Sequence, residues 1–136
     1  MKITKVLVAD YANVTREGKL NVLGIFTTIN ALSFPVIHPQ MQLIYMWECN
    51  PSEAGRKKKI EIELRDADGK RNFLLEGEFE VPTAHLARTV QGNEIVVLNN
   101  LSFEKPGSYV FNILVNGDPK EEVTFELSRV PLPKKG

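Results

Sequence analysis

The sequence predicts an all-β fold, an antiparallel β-sandwich of about eight strands. The first observation is the segment 105–111, in which a Pro-Gly turn leads into a strand that opens with Tyr109. The second is the apolar row at every other residue from Tyr109 to Val115, which is the period of a half-buried strand. The third is that no stretch of helical period is longer than residues 83–89. The turn and its tyrosine are typical of the tyrosine corner, so we expect an immunoglobulin-like or C2-like sandwich.

Eight segments have the composition of strands, and turn residues separate most of them. The predicted strands are residues 2–13, 19–32, 40–50, 56–65, 71–81, 94–103, 108–115 and 120–130. The strongest turn signals are Glu17-Gly18, the segment 35–39 with its two prolines, 66–70 and Asn116-Gly117. Together these strands form one domain, residues 1–130, and residues 131–136 are predicted to be a flexible C-terminal tail.

Two hairpins can be registered from the facing of their side chains. Pairing Arg65 with Asn72 puts the apolar residues of both strands on one face and sets lysines 57 and 59 against Glu80 and Glu78. For the last hairpin we expect Tyr109 opposite Phe125 and Phe111 opposite Val123. A two-residue Asn116-Gly117 turn would slip this register by one residue, so a loop of three or five residues is preferred.

Alternating strand direction assigns each connection to one end of the sandwich. The loops 33–39, 66–70 and 104–107 fall at one end, and 14–18, 50–55, 82–93 and 116–119 fall at the other. His38 and His85 then lie apart, which disfavours a two-histidine metal site. Calcium is disfavoured too, because Asp66 and Asp68 have the spacing of a hairpin turn and the 33–39 loop adds no carboxylate. We expect no metal and no cofactor.

The composition excludes several classes of partner. Seventeen basic residues balance seventeen acidic ones, so there is no overall field to attract nucleic acid. The apolar runs are too short to cross a bilayer, and integral membrane association is not expected. Cys49 is the single cysteine, so no internal disulfide can form, and we predict a cytoplasmic protein.

A catalytic role is not predicted. Asp10, Cys49 and His85 fall toward the same end by strand parity, yet no glycine-rich turn or helix start beside Cys49 would activate its thiol. The prediction is a protein that is not an enzyme.

One concentrated basic run, Arg56-Lys57-Lys58-Lys59, offers an alternative function. It could bind an anionic ligand or a lipid head group. It could equally be the start of a strand whose lysines face Glu78 and Glu80, and no aromatic residue within it could stack on bases.

The leading prediction is a non-catalytic module for protein interaction or scaffolding, which binds a protein partner or itself as a homo-oligomer. The second and third predicted strands are apolar on both faces, so either they switch between core layers or a partner covers one face. The stiff, apolar segment 34–39 could also contact a partner or could cap the core. The candidate interaction surface is therefore Ile25, Phe34, Val36, Ile37, His38, Ile44 and Met46.

Five segments have a distinctive sequence: Val8 to Asn13, Gly18 to Phe26, Phe34-Pro35, His38-Pro39 and Phe103 to Phe111. Together they resemble a family of uncharacterised bacterial proteins. The resemblance extends over most of the chain and implies a small β-sandwich domain of unknown function. It implies no activity and no site residue.

Overall fold

The computed structural model describes residues 1–83 and 88–131, and within them it contains nine strands in two sheets packed face to face. The strands are β1 (Lys2–Val14), β2 (Leu20–Ile25), β3 (Thr28–Ala31), β4 (Val36–Cys49), β5 (Lys57–Arg65), β6 (Arg71–Glu80), β7 (Val90–Phe103), β8 (Gly107–Val115) and β9 (Asp118–Arg129). A short 3-10 helix, Pro51–Glu53, joins β4 to β5. No helix in these residues is long and apolar enough to span a membrane. His85, most of the predicted helical stretch 83–89 and residues 132–136 of the predicted tail lie outside the described residues.

The two sheets have four and five strands, and the all-β sandwich is confirmed. The smaller sheet has the order β2-β1-β4-β7, and the larger has the order β3-β9-β8-β5-β6. The pairs are antiparallel except β3 with β9, which is parallel and therefore departs from the wholly antiparallel prediction. At one side of the sandwich both sheets end in long edge strands, β6 and β7.

The predicted strand 19–32 is two strands, and this corrects the strand count. β2 pairs with β1 in the smaller sheet as far as Ile25, and β3 joins the edge of the larger sheet beside β9. Between them the chain crosses from one sheet to the other. There Phe26 N donates to the Val8 carbonyl and Glu126 N donates to the carbonyl of Thr27. The apolar residues of this segment therefore serve different surfaces: Ile29 of β3 is in the main core, Leu20 and Val22 of β2 pack in a separate small cluster, and Leu23 and Ile25 are exposed.

β4 begins earlier than predicted, so Val36 to Pro39 belong to a strand and not to a loop. Proline is tolerated at position 39 because Pro39 has no partner in the β4–β7 ladder. His38 pairs with Leu101, and the next pair is Gln40 with Asn99. The skipped partner, Asn100, has a φ of 55°, so the ladder is interrupted where Pro39 has no N–H to donate.

The main core lies between the sheets and contains the predicted tyrosine corner. The Tyr109 hydroxyl donates to the Lys105 carbonyl oxygen at 2.7 Å, which ties the connection 104–106 to the strand that follows. The ring of Tyr109 lies 4.9 Å from that of Phe103 and stacks on Phe125 at 6.0 Å. Aromatic pairs at these separations contribute about 0.5–1.5 kcal/mol each beyond their buried area.

The β1–β2 hairpin bends over the outer face of the smaller sheet. The pairing of β1 with β4 ends at Ala9. Beyond this point the backbone N–H of Ala12 donates at 2.8 Å to the side-chain oxygen of Gln42, which lies on the outer face of β4. Gly18, at the tip of the hairpin, borders the same hollow as Met46. A second, small apolar cluster results, made of Leu7, Ala9, Ala12, Leu20, Val22, Ile44 and Ile95.

The bend also corrects the position predicted for one connection. The 14–18 connection lies over a sheet face and not at an end of the sandwich. The predicted neighbourhood of 33–39, 66–70 and 104–107 is confirmed, because Val36 pairs with Phe103 and Lys105 forms an ion pair with Asp68.

Both predicted hairpin registers are confirmed in their central parts. β5 pairs Lys57 with Glu80 and Lys59 with Glu78, although Arg65 pairs with Arg71 across a bulge and not with Asn72. The β8–β9 register has the predicted pairs Tyr109 with Phe125 and Phe111 with Val123. The prediction of a longer loop was wrong, because the turn is the two-residue Asn116-Gly117 turn. A bulge between Ile113 and Leu114 shifts the register by one residue and so restores the predicted pairs.

Candidate binding surfaces

Large apolar side chains are exposed along the β1–β2 hairpin. Tyr11 and Leu23 are cross-strand partners and both are exposed, Leu23 to 62%. Ile25, opposite the buried Ala9, is 61% exposed. We call Tyr11, Leu23 and Ile25 the β2 patch; Leu23 and Ile25 lie on β2, the edge strand of the smaller sheet, and Tyr11 lies on the adjacent strand β1.

The structure places the predicted interaction residues in three kinds of environment. Ile25 and Ile37 are exposed, and Met46 is at the boundary of exposure beside the hollow under the hairpin. Phe34 and Val36 are half-buried against the main core, which agrees with a segment that caps it. Ile44 is only 1% exposed, so its prediction as a surface residue was wrong. It faces outward from its sheet as expected, but the protein's own hairpin covers it.

His38 is half-buried and points into the fold. Its ring lies 6.3 Å from that of Phe26, and its Nε2 atom is buried without a hydrogen-bond partner among the described residues. The side chain therefore contributes little accessible area to any surface.

The basic run is divided between two environments. Lys58 lies 3.0 Å from a carboxylate oxygen of Glu53, which also accepts from the amino group of Met1. The bond from that amino group, followed by those from Asn50 N and Lys58, lowers the pKa of Glu53 to about 2. Lys57 and Lys59 face the β6 glutamates on the outer side of the larger sheet. Lys59 also pairs with Glu61 at 3.7 Å, so within the predicted anion site Arg56 and Lys57 are the residues without an ion pair to a described residue.

The single cysteine and the turn carboxylates lie in different surroundings. Cys49 is buried, and burial, followed by the charge of Glu53, raises the pKa of its thiol. Asp66 accepts hydrogen bonds from the N–H groups of Asp68 and Lys70, as expected for hairpin turn chemistry. No group of three or more metal-ligating side chains occurs in the described residues.

A cleft that the sequence did not predict opens between the two sheets at their β6 and β7 edges. Its volume is about 230 Å³. Its apolar lining comes from both sheets and comprises Tyr45, Ile60, Ile62, Leu75, Phe79 and Val96. Glu94 lies directly across from Tyr45 in the β4–β7 pair and lines the same cleft.

The polar groups of this cleft are arranged around Glu94. Its Oε1 accepts a hydrogen bond from Trp47 Nε1 at 3.3 Å, and the indole is held by the Phe79 ring at 4.8 Å. Burial, and then the negative charge of Glu94, raises the pKa of Tyr45 above its ordinary range. The Tyr45 phenol thus stays protonated beside a carboxylate in largely apolar surroundings.

The sequence did not predict this cleft because Glu94 has the pattern of an ordinary polar residue at the start of a strand. The one available signal was Gly77 within β6, since a glycine inside a strand often marks a close approach of a ligand or another backbone.

The two sheets and these surfaces define a β-sandwich protein with an apolar hairpin patch and an inter-sheet cleft. Residues 5–128 match the DUF6941 family, a family of unknown function, so the chain belongs to that family. The resemblance seen in the sequence is thereby confirmed. No curated protein matches the chain.

Among solved structures, the chain is similar to the Pseudomonas fluorescens alkylpurine DNA glycosylase AlkC bound to DNA containing an abasic site analog. The TM-score is 0.51 and the sequence identity is 16%, over 93% of this chain and 30% of the glycosylase chain. This chain therefore spans less than a third of that protein. At this identity the likeness shows a common fold and nothing about activity.

Proposed function

We propose that this protein is a non-catalytic interaction module that binds a protein partner through the β2 patch. The observation that supports it most directly is the exposure of Leu23 and Ile25 on a strand that is itself a free sheet edge. Exposed apolar residues on an edge strand leave both side chains and backbone groups available to another chain. A cytoplasmic location is part of the same proposal.

A second copy of the chain is the partner that this edge fits best. β2 has the sequence Leu-Asn-Val-Leu-Gly-Ile and carries no charged residue. An uncharged apolar edge creates no like-charge repulsion when it meets itself across a two-fold axis. Two copies paired through β2 would form one continuous sheet and bring the two patches side by side.

Light scattering over a concentration series tests this proposal. We expect a mass of twice the 15.3 kDa of the chain, and we expect Leu23→Glu to return it to the single-chain mass with an unchanged far-UV circular dichroism spectrum. Ile37→Glu is the matched control, because Ile37 is also 62% exposed but lies outside the hairpin. It should leave the mass unchanged.

A single-chain mass at every concentration would contradict the second copy as partner. Capture from a cell extract with the same two variants would then test a different protein partner. Partners that bind the Ile37→Glu variant and not the Leu23→Glu variant would support the interaction module, and equal capture by both would overturn it.

A further inference from the structure

The cleft between the sheets opens between two free strand edges. β6 is the outermost strand of the larger sheet and β7 the outermost strand of the smaller one, and residues from both line the cleft. Their outer backbone N–H and C=O groups have no strand partner in the described residues. An extended polypeptide can pair with such an edge and place alternate side chains into a neighbouring pocket.

The interior of the cleft has the chemistry of a site for a cation on an apolar stem. Glu94 has no ion pair with any described residue, although most of the residues that line its cleft are apolar. Tyr45 is 5% exposed, lines the same cleft, and its hydroxyl makes no hydrogen bond to a described residue. A carboxylate and a phenol oxygen with remaining acceptor capacity can both bind an N–H-rich cation.

Gly77 keeps the cleft open. The inward-facing row of β6 is Phe73, Leu75, Gly77 and Phe79, and Gly77 stands opposite Ile60. Its φ is not in the left-handed region, and a Cβ built on it would meet nothing within 4 Å. The fold therefore does not require glycine here, and glycine weakens a strand interior. A side chain at this position would instead extend into the cleft.

We propose that this cleft binds a lysine or arginine side chain of an extended polypeptide paired along the edge of β6 or β7. Its 230 Å³ is below the roughly 300–1,000 Å³ of sites for whole drug-sized ligands, so it suits one side chain. The aliphatic stem would lie on Ile60, Ile62 and Val96, and the charged end would reach Glu94. Glu76 and Glu78, which also border the cleft, add negative charge along β6, and this favours a basic strand.

Capped heptapeptides provide the direct test. The probe has alternating threonine and valine with a central lysine, and its matched control has norleucine in the central position. Trp47 is the single tryptophan and its Nε1 donates to Glu94, so its indole ¹⁵N–¹H resonance reports directly on the site. We expect the lysine peptide to shift this resonance saturably and the norleucine peptide to bind at least about tenfold more weakly.

Two variants separate binding from folding. Glu94→Gln keeps an acceptor for Trp47 but removes the charge, and should weaken the lysine peptide by about thirtyfold or more. Gly77→Val fills the cleft and should abolish binding while the thermal midpoint stays unchanged or rises, because valine favours a strand. The interaction through the β2 patch is not involved in either result.

Three outcomes would overturn the proposal. The first is a Trp47 resonance unaffected by the lysine peptide, and the second is equal affinity for the lysine and norleucine peptides. The third is n-butylammonium binding as tightly as the lysine peptide, which would show that the polypeptide backbone contributes nothing.

Discussion

Glu63 holds a polar cluster together on the outer face of the larger sheet. Its carboxylate oxygens accept hydrogen bonds from Arg65 Nε at 2.9 Å and from Arg65 Nη2 at 3.1 Å. Asn112, from the neighbouring strand β8, donates a third bond at 3.3 Å. The bonds from Arg65 come first in lowering the pKa of Glu63, and the charge of Arg71 adds to them. One carboxylate thus joins β5, β6 and β8.

This arrangement predicts a specific dependence of stability on pH. A folded-state pKa below the unfolded value of about 4.3 means that Glu63 stabilises the fold above that pH and loses its contribution as the pH falls below it. Glu63→Gln should therefore lower the free energy of unfolding at pH 7 and flatten its decline as the pH falls below about 4.3. Urea unfolding at several pH values measures both effects, and a variant with the same decline as the parent would contradict the prediction.

Single residues differ in how far their sequence context reveals their role. Tyr109 was predictable because the Pro-Gly turn and the alternating row after it are local signals. The burial of Ile44 was not, since it depends on a hairpin that folds over from β1 and β2. Nor was the position of Glu94, because its partners Tyr45 and Trp47 lie nearly fifty residues away in the chain.

At the scale of the element, Gly24 of β2 occupies a position that favours glycine. Its φ is +70°, and a Cβ placed there would lie 2.4 Å from the Asp10 Oδ2 atom. We expect Gly24→Ala to destabilise the protein by roughly 1–3 kcal/mol, through left-handed backbone strain and the clash together. Chemical unfolding monitored by Trp47 fluorescence gives the value.

A control in the same hairpin separates the two causes. Gly18 has a φ of +86° with nothing within 4 Å of a built Cβ, so Gly18→Ala should cost only the backbone term of about 1–2 kcal/mol or less. Equal losses of unfolding free energy for Gly18→Ala and Gly24→Ala would show that the clash with Asp10 adds nothing to the cost at position 24.

Elements were predictable where their signals are local and were missed where the signal depends on tertiary structure. The β5–β6 register followed from facing charges and apolar rows, which adjacent strands share. The split between β2 and β3 has no turn signal, because the chain crosses between sheets without reversing. The predicted length of the β8–β9 turn was wrong because the sequence gives no sign of the bulge after Ile113, which restores the register.

At the scale of the whole molecule, the β2 patch and the inter-sheet cleft lie at opposite edges of the smaller sheet. β2 and β7 are its two edges, with β1 and β4 between them, so their backbones are roughly 14 Å apart. The patch faces outward on the hairpin, whereas the cleft opens toward the other sheet. The two proposed partners would therefore bind at different edges of the molecule.

This separation predicts that the two binding events are independent. Effects of sites farther apart than about 7–10 Å with no shared partners usually add, so Leu23→Glu should change the dissociation constant of the lysine heptapeptide by less than about twofold. Gly77→Val should likewise leave the solution mass unchanged. Peptide titrations followed by the Trp47 resonance, on the parent and on Leu23→Glu, measure the first effect, and light scattering on Gly77→Val measures the second. A larger change in either would mean that β1 and β4 transmit a rearrangement from one edge to the other. The small apolar cluster around Ile44 is the most direct route for such a rearrangement, since this cluster packs the hairpin onto β4, which also carries Tyr45.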